Sequence, residues 1–476
     1  MDSPDPPGPL TTAAIALAKR AERSIDRRLA DIGRRSVERL RAPLCVALVG
    51  RVSCGKSTLL NALLGVPVAP TDATECTKVV TVFRHGRSPR AVLHPRDGRD
   101  PIPVPFDRHL PAEFDRPAAE IKSIEVRLPA SRLERMTLID TPGLASLTSE
   151  NAAATQRMLD DTVDSAAHAD ALLFCVNGPL LQYEDAAIRA FATSRTAQRR
   201  LSCGTAVGLL TKADSVVEDV RESWKASTRL AGAMAEEHAG LLMTVLPVVG
   251  LLAETSETGA LREPHIRALS ALADAWSPDV IRTATSNQRE FLYEPAPIDD
   301  SIRRELLHLL GLYGVGELLE RIQGGIRRDA ASVRAVIQAA SGFEAVITHV
   351  RTALRGRTDA LKAASALGDL VDSAYWSERA LYDEAITTLE RPAMLPVKLI
   401  DISQQIAMGQ VRPPARLRVQ VWLAARNGGL PACSPAEAAR GAGEWKSWAM
   451  LVDAAGQQVA QVMVRAWALA ATGARR

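Results

Sequence analysis

The sequence predicts a doubly wound α/β domain with a mainly parallel sheet, inserted in an all-α bundle or stalk formed by both chain ends. Short apolar runs alternate with longer mixed segments between about residues 43 and 260, and such runs are typical of strands buried on both faces of a parallel sheet. After about residue 264 strand patterns nearly vanish, and the segment 300–390 has apolar residues at helical spacing. A helical pattern also covers 11–42. Its apolar stripe must be buried, and the late helices are its natural partners.

The boundaries of strands and domains follow from these changes in pattern. Predicted strands cover 44–50, 78–83, 136–140, 171–177, 205–211 and 243–249. Helical patterns between them give the β–α alternation of a doubly wound domain. The predicted division is a disordered Pro-rich tail over 1–10, one neck helix over 11–42, the α/β domain over 43–292 and a helical neck or stalk bundle over 293–476.

The composition describes a soluble globular protein. The 476 residues are 47% hydrophobic and 24% charged, and the length favours two or three domains. The net charge of +3 is small, so it gives no argument for a nucleic-acid partner. Six cysteines without a CxxC pair favour reduced thiols in the cytoplasm over a zinc ribbon or a disulfide framework. Since no run of 18 apolar residues is present, we expect no transmembrane helix.

The segment 50–57, GRVSCGKS, matches the phosphate-loop pattern GxxxxGK[ST]. It follows a predicted strand and opens a predicted helix, a context that disfavours a chance glycine turn. Backbone amides of the loop would bind phosphate oxygens, Lys56 would reach the β and γ phosphates, and the hydroxyl of Ser57 would bind Mg²⁺. The predicted nucleotide-binding residues here are Gly50, Ser53, Cys54, Gly55, Lys56, Ser57 and Thr58. Lys56 is also a predicted catalytic residue.

A second motif, DTPG, covers residues 140–143 and follows the predicted strand 136–140. A carboxylate at a strand end is where P-loop proteins contact Mg²⁺, so Asp140 is a predicted metal and nucleotide ligand. The amide of Gly143 would sense the γ phosphate. The tetrapeptide alone also makes ordinary turns, and its place after a phosphate loop is what favours the nucleotide role.

A third motif, TKAD, covers residues 211–214 and resembles the guanine-binding pattern [NT]KxD. Asp214 would accept hydrogen bonds from guanine N1–H and N2–H₂, which adenine does not offer. Lys212 would pack along the base, and Thr211 is the third predicted nucleotide-binding residue of the motif. A helix cap after a strand is the alternative. Gly250, after the next strand, is a weaker candidate for the last base-contacting loop.

The segment 68–83, VAPTDATECTKVVTVF, lies where a GTP-binding domain has its first switch. One threonine must close over Mg²⁺ and the γ phosphate there. Thr77 directly precedes the predicted strand, so it is the predicted catalytic and metal-binding residue, with Thr74 as the alternative. The predicted Mg²⁺ ligands of the chain are thus Ser57, Thr77 and Asp140.

Two cysteines lie close to this predicted site. Cys54 is inside the phosphate loop, and Cys76 adjoins the predicted switch. A helix N-terminus favours the thiolate, so oxidation could block GTP binding. Tolerated small residues are the alternative interpretation.

Together these motifs resemble those of the dynamin-family GTPases, and more narrowly the actinobacterial isoniazid-inducible dynamin-like proteins. The resemblance covers about 43–365, through GRVSCGKSTLLNALLG, APTDATECTKVVT, DTPG, TKAD, VLPVVGLLA, LLGLYGVGEL and SGFEAVITHVRTALRGRTDALKA. It implies that 43–292 is a dynamin-type G domain that hydrolyses GTP to GDP and phosphate with Mg²⁺. It also implies dimerisation across the nucleotide face, a helical neck and stalk, and membrane binding or remodelling.

The resemblance also suggests which groups position the attacking water. Ser53 matches the phosphate-loop serine of dynamins, which helps hold a charge-compensating cation, so it is a predicted catalytic residue. The glutamine that precedes this serine in dynamins is Val52 here, and Leu144 stands where small GTPases have a glutamine. Positioning would then rest on Thr77, backbone groups and a dimer partner, and we expect slow basal turnover, not well above about 1 s⁻¹.

The function expected from these features is a GTPase that couples nucleotide-dependent dimerisation to membrane binding or remodelling. The alternative is a regulatory GTP switch or assembly subunit that partners a larger dynamin-like protein without binding lipid. A ribosome-assembly GTPase is disfavoured by the near-neutral charge and the helical tail. Expected partners are GTP or GDP and a second copy or a related dynamin-like protein, with no nucleic acid. The expected location is the cytoplasm, with peripheral contact at the inner face of the cell membrane.

Three features could supply that membrane contact. The apolar run 391–400 lies beside Pro392 and Lys398 and could form a tip loop, with a buried connection between helices as the alternative. Tryptophans near the C-terminus favour bundle packing, with a membrane-interface belt as the alternative. The arginines of 11–42 could contact anionic lipid, although a solvated face is the simpler interpretation.

Overall fold

The computed structural model describes residues 7–69, 79–106, 109–111, 114–142, 169–181, 184–185, 206–239, 241–351 and 355–473. Elements are numbered below in chain order over these residues. The strands are β1 Leu44–Gly50, β2 Thr81–His85, β3 Arg90–Pro95, β4 Ile102–Val104, β5 Ile121–Leu128, β6 Met136–Asp140, β7 Ala171–Val176, β8 Ala206–Leu210 and β9 Val245–Pro247.

The helices before and inside the α/β region are α1 Pro9–Ala21, α2 Arg27–Arg41, α3 Lys56–Leu64, α4 Val220–Glu237, α5 Gly250–Thr258, α6 Glu263–Ala275, α7 Pro278–Ala284 and α8 Gln288–Tyr293. Those that follow are α9 Asp300–Gln323, α10 Ala330–Ser341, α11 Phe343–His349, α12 Arg355–Ala374, α13 Arg379–Leu389, α14 Leu395–Ala407, α15 Ala415–Asn427, α16 Pro435–Ala449 and α17 Ala454–Ala471.

The strands form one nine-stranded sheet in the order β4-β3-β5-β2-β6-β1-β7-β8-β9. Strands β6, β1, β7, β8 and β9 pair in parallel, which is the predicted doubly wound core. Strand β2 is antiparallel to β6, and β3 is antiparallel to both β5 and β4. In β1, Val46 and Leu48 pack with α3 on one face, while Ala47 and Val49 belong to the cluster on the other face. The predicted α/β fold class is therefore confirmed.

Both chain ends build a helical neck, as predicted. Its hydrophobic cluster combines side chains of α1 and α2 with those of α12 and α13. Two amides at the start of α1 donate to Asp359, from Leu10 at 3.1 Å and from Thr11 at 2.7 Å. At the other end of α1, Arg20 pairs at 3.4 Å with Glu378, which follows the end of α12. Helices α1 and α12 therefore run side by side in the same direction.

The single helix predicted over 11–42 is wrong, because the structure has two helices with a turn between them. The carboxylate of Asp26 accepts from the amides of Arg28 and Leu29, at 2.9 and 3.3 Å, and so caps α2. At Gly33 a Cβ would lie 2.4 Å from the amide nitrogen of Glu22, so only glycine lets the two helices pack this closely. The disordered tail predicted over 1–10 is also wrong at its end, because α1 begins at Pro9.

Helices α6 to α10 pack beside the sheet. They share one hydrophobic cluster with Ala213 and Val249, which follow β8 and β9. Phe343 and Val346 of α11, and Val350 after it, join the main core of the α/β domain. Through α11 and up to Val350 the chain thus packs against the α/β domain, and from Ala360 it packs in the neck cluster. The predicted division at 292 and 293 does not coincide with that change.

The last four helices, α14 to α17, form a further cluster of their own. Trp445 is fully buried there, and its indole donates to the side chain of Gln420 at 2.8 Å. Bundle packing therefore accounts for this tryptophan. Of the two interpretations of 391–400, the structure excludes the tip loop and shows the buried connection, because Met394, Leu395 and Leu399 are buried where the chain passes into α14.

Within the described ranges, no single helix is both long and apolar enough to cross a bilayer. Helices α10 and α11 reach the required length and composition only when counted together, across a bend of 66°.

Candidate nucleotide site

The phosphate loop connects β1, in the parallel core, to α3. Ser53 has a φ of 59° and Gly55 a φ of 93°, so the loop turns twice through left-handed backbone. Such conformations in non-glycine residues occur preferentially at ligand sites. The Lys56 ammonium is buried and donates to the carbonyls of Gly50 and Arg51, at 3.1 and 3.0 Å. These contacts hold the charge across the mouth of the loop.

The loop is closely backed by the neighbouring strand β7. A Cβ at Gly50 would lie 2.3 Å from the carbonyl oxygen of Cys175, so this position requires glycine. The thiols of Cys54 and Cys175 are buried against each other. The hydrogen bond from Cys175, aided by the charge of Lys56 and opposed by burial, lowers the pKa of Cys54 to about 7. Cys76, the other cysteine of the oxidation hypothesis, lies outside the described residues.

Asp140 ends β6 beside the loop, because Asp140 and Leu48 are register partners in the parallel pair. Its Oδ1 is buried and has no hydrogen-bond partner in the described structure. Burial raises its pKa to about 6, although the charge of Lys56 lowers it. A buried, unpaired carboxylate oxygen is costly unless a cation or donor satisfies it. The site therefore fits a divalent cation, for which protons would compete at pH values below about 6.

A cation bound at Asp140 would not be coordinated by protein side chains alone. In the part of the chain that the structure describes, no three His, Cys, Asp or Glu side chains converge as metal ligands. Mg²⁺ commonly binds through one or two protein oxygens together with substrate phosphates. Ser57, in the first turn of α3, and Asp140 are the described residues that would hold it.

The TKAD motif connects the phosphate loop to the predicted base side. The Thr211 hydroxyl is within hydrogen-bond distance of the Val176 carbonyl, at 3.0 Å, and of the Cys54 carbonyl. Asp214 lies in the short 3₁₀ turn Ala213–Ser215 that follows β8. Burial raises the pKa of its carboxyl, opposed by its backbone amide and by the charge of Lys212. The Asp214 carboxylate is thus partly withdrawn from bulk water.

Gly250, at the start of α5 after β9, lies against the TKAD motif. Its amide donates to the carbonyl of Thr211 at 3.2 Å, and a Cβ would lie 3.6 Å from Cγ2 of Thr58. The structure therefore brings together the predicted residues of the phosphate loop, the TKAD motif, Gly250 and Asp140. Thr77, its alternative Thr74, and Gly143 lie outside the described residues, and their roles stay predictions.

The contacts of Arg51 and Thr141 at the site were not predicted from the sequence. The Arg51 guanidinium pairs with the buried Glu184 at 3.3 Å and contacts the side chain of Asn177. The Thr141 hydroxyl donates to the carbonyl of Leu48 at 2.7 Å and so ties the DTPG motif to β1. Both residues occupy variable positions of their motifs, and their partners are distant in sequence, so no local pattern could have identified them.

Comparisons with known proteins decide the family. A model of the Dynamin family matches residues 46–178. The Isoniazid-induced protein IniC of Mycobacterium tuberculosis is 34% identical over 338 residues, which cover 70% of this chain and 67% of that protein. The chain belongs to the dynamin family. The resemblance to the isoniazid-inducible dynamin-like proteins is thereby confirmed, and the site described above is that of a dynamin-like GTP-binding protein.

Other relatives of this dynamin-family chain are more distant. The Bacterial dynamin-like protein of Nostoc punctiforme is 29% identical over 143 residues, 27% of this chain and 20% of that protein. A solved structure described as an oligomerised bacterial dynamin pair aligns at 15% identity with a TM-score of 0.32, over 88% of this chain and 79% of its own.

Proposed function

We propose that this dynamin-family chain hydrolyses GTP to GDP and phosphate with Mg²⁺, and that it couples nucleotide-dependent dimerisation to membrane binding or remodelling. The observation that supports hydrolysis is the buried Oδ1 of Asp140, which has no hydrogen-bond partner among the described residues. It lies at the end of the central parallel strands, where the charge of Lys56 lowers the pKa of its carboxyl. In doubly wound domains ligands bind at these carboxyl ends. Family membership supports GTP as the nucleotide.

The described residues have distinct parts in this proposal. Lys56 would exchange the carbonyls of Gly50 and Arg51 for phosphate oxygens, and it would offset the charge that develops during transfer. Asp214 would bind guanine, and Asp140 and Ser57 would hold Mg²⁺. When bound, Mg²⁺ neutralises charge on the phosphates. The contact of the Thr211 hydroxyl with the Cys54 carbonyl would hold the TKAD motif at a fixed position relative to the phosphate loop.

The rate of phosphate release per molecule, measured over a range of protein concentrations, tests hydrolysis and dimerisation together. We expect a rate of no more than about 1 s⁻¹ at low concentration, because Val52 and Leu144 supply no amide for the attacking water. The rate per molecule should rise with concentration if paired G domains complete the site. A constant rate would contradict the dimerisation, and no GTP hydrolysis at any concentration would contradict the proposed activity itself.

For membrane contact we propose the far end of the neck in place of the buried run 391–400. The α1–α2 turn carries Ile25, which is fully exposed, and the α12–α13 turn carries Trp376, which is 89% exposed. Arg20, at the end of α1, pairs with Glu378 at 3.4 Å, so these two turns lie side by side. Lys362 of α12 donates to the carbonyl of Ala42 just before β1, so residues 363–374 carry the end of this helix about 18 Å beyond that junction.

The chemistry of this end suits a bilayer surface. Trp376 stacks edge-to-face on Tyr375, with ring centroids 4.5 Å apart, and tryptophan and tyrosine favour the membrane interface. Arg23, Arg27 and Arg28 are exposed on and beside the other turn, where they could contact anionic headgroups. The proposed location is accordingly the cytoplasm, with peripheral contact at the inner face of the cell membrane.

Replacing both Ile25 and Trp376 with serine should reduce sedimentation with phosphatidylglycerol-containing liposomes by at least about tenfold, because each buried apolar side chain contributes about 1.5–3 kcal/mol. Met450 and Leu451, which are exposed in the α16–α17 turn, provide a matched control pair for serine substitution. We expect the control variant to sediment like the wild type. Loss of binding only in the control would contradict this surface, and a wild type that never sediments would favour the lipid-independent regulatory switch.

A further inference from the structure

Helix α9 is broken in the middle by Gly311. Its φ of 62° and ψ of 178° lie in a backbone region that is essentially restricted to glycine. The chain on either side of the break is helical, and Leu310 and Tyr313 are buried there. The break therefore has a specific place in the core.

The break lies directly against the predicted base-binding loops. A Cβ at Gly311 would lie 3.8 Å from Oδ2 of Asp214 and 3.7 Å from Cδ2 of Leu251. Leu251 follows Gly250 at the start of α5, so Gly311 is in contact range of both loops on this side. The Thr255 hydroxyl of α5 donates to the carbonyl of Leu309 at 2.5 Å and fixes the two helices relative to each other.

Tyr313 follows two residues after the break. The residue is buried, at 8% exposure. Its pKa is raised by burial first, then by the charge of Glu317 and by that of Asp214. Gly311 thus lies against one oxygen of the Asp214 carboxylate, and the segment after it continues into the buried core.

We propose that the break in α9 at Gly311 is a specificity-determining element of the guanine site, where the segment 311–313 shields Asp214 and fixes the direction of its carboxylate. The inference rests on the proposed binding of GTP by this site. Guanine presents N1–H and N2–H₂ to such a carboxylate, whereas hypoxanthine lacks the amino group. When the carboxylate is shielded and held in one orientation, the hydrogen bond from the guanine N2 amino group contributes its full strength to binding, because water does not compete for the same oxygen. Gly311 and Tyr313 act through Asp214 and are positioning residues.

The test is the ratio of the affinities for GDP and IDP, measured by displacement of a fluorescent guanine nucleotide from the full chain. An alanine at position 311 cannot adopt the observed φ and ψ angles without strain. Gly311→Ala should therefore shift the segment 311–313 and expose Asp214. We expect the ratio to fall at least tenfold in Gly311→Ala. Gly316→Ala is the matched control in the same helix, because its Cβ would make an ordinary 3.5 Å contact with Thr285, and it should keep the wild-type ratio.

A second variant, Tyr313→Leu, tests the same inference if Gly311→Ala does not fold. Tyr313→Leu keeps the position apolar while removing the phenol ring from the same segment, and it should lower the ratio in the same direction. A merely structural role would lower the melting temperature and leave the ratio unchanged. A ratio within twofold of the wild type in the folded variants would overturn the inference while leaving GTP binding intact. A wild type that binds neither nucleotide would overturn the proposed function, and the inference with it.

Discussion

Replacing Lys56 with alanine is expected to lower the rate of GTP hydrolysis at least about a thousandfold, which corresponds to about 4 kcal/mol of transition-state stabilisation. The ammonium is buried between two loop carbonyls, at 3.1 and 3.0 Å, and lies beside Asp140. Its removal takes away the charge that would meet the β and γ phosphates. It also leaves the carbonyls of Gly50 and Arg51 without this donor. Phosphate release under saturating GTP measures the effect.

Lys362 offers a matched control for this variant. It is similarly buried, and it also donates to a backbone carbonyl, that of Ala42, but it lies where the neck meets β1. Lys362→Ala should lower the melting temperature and keep hydrolysis near the wild-type rate. If Lys56→Ala retained more than a tenth of the wild-type activity, the assignment of this lysine would fail.

Replacing Thr77 with alanine is expected to abolish hydrolysis while sparing the affinity for GDP. GDP has no γ phosphate, so a residue that closes over that group adds little to GDP binding. Thr77 itself lies outside the described residues, but the chain on both sides of it is placed. Val68 and Ala69 donate to the side chain of Asn61, at 3.0 and 2.8 Å. Thr81 pairs with Asp140 across β2 and β6, so the chain approaches the sheet next to the proposed Mg²⁺ ligand.

Thr74→Ala provides the comparison for Thr77→Ala. Both variants remove a threonine hydroxyl from the same segment, and single-turnover hydrolysis together with GDP affinity separates them. We expect Thr74→Ala to hydrolyse GTP at close to the wild-type rate. If Thr74→Ala is the inactive variant instead, the predicted position of the switch threonine is displaced by three residues.

The parallel core could be predicted because its strands are buried on both faces. In β1, β7 and β8 nearly every residue is buried, so each is a continuous apolar run with a recognisable length. Strand β5 was missed because Ile124, Val126 and Leu128 alternate with partly exposed residues. Strand β3 beside it, and β4 beyond β3, were missed as well, although β3 shows the same alternation at Ala91 and Leu93. A search for alternation would have found that part of the sheet.

The helical regions were predicted by class, while their turns and packing were not. Apolar periodicity continues through the α1–α2 turn, and the signals that mark it are the cap at Asp26 and the close approach at Gly33. In the run 391–400, two prolines leave a tip loop and a buried connection between helices as alternatives. The structure buries Leu399 through neighbours that are distant in sequence. Exposure depends on tertiary packing, which local patterns do not encode.

The same reasoning explains which parts of the site the sequence revealed. Lys56, Asp140 and Asp214 occupy fixed positions of motifs whose chemistry requires those residue types. Gly311 lies in a helical pattern far along the chain, and only the fold places it against Asp214. The motifs thus carry the chemistry of binding, while the shielding of the base site depends on three-dimensional structure.

The central claim is that the converging loops form a guanine-nucleotide site, and equilibrium binding of GDP and ADP by the full chain tests it most directly. We predict tight binding of GDP with Mg²⁺ and a preference over ADP of at least about a thousandfold, since adenine would leave the Asp214 carboxylate unpaired. Equal affinity for the two nucleotides, or a preference for ADP, would contradict the account.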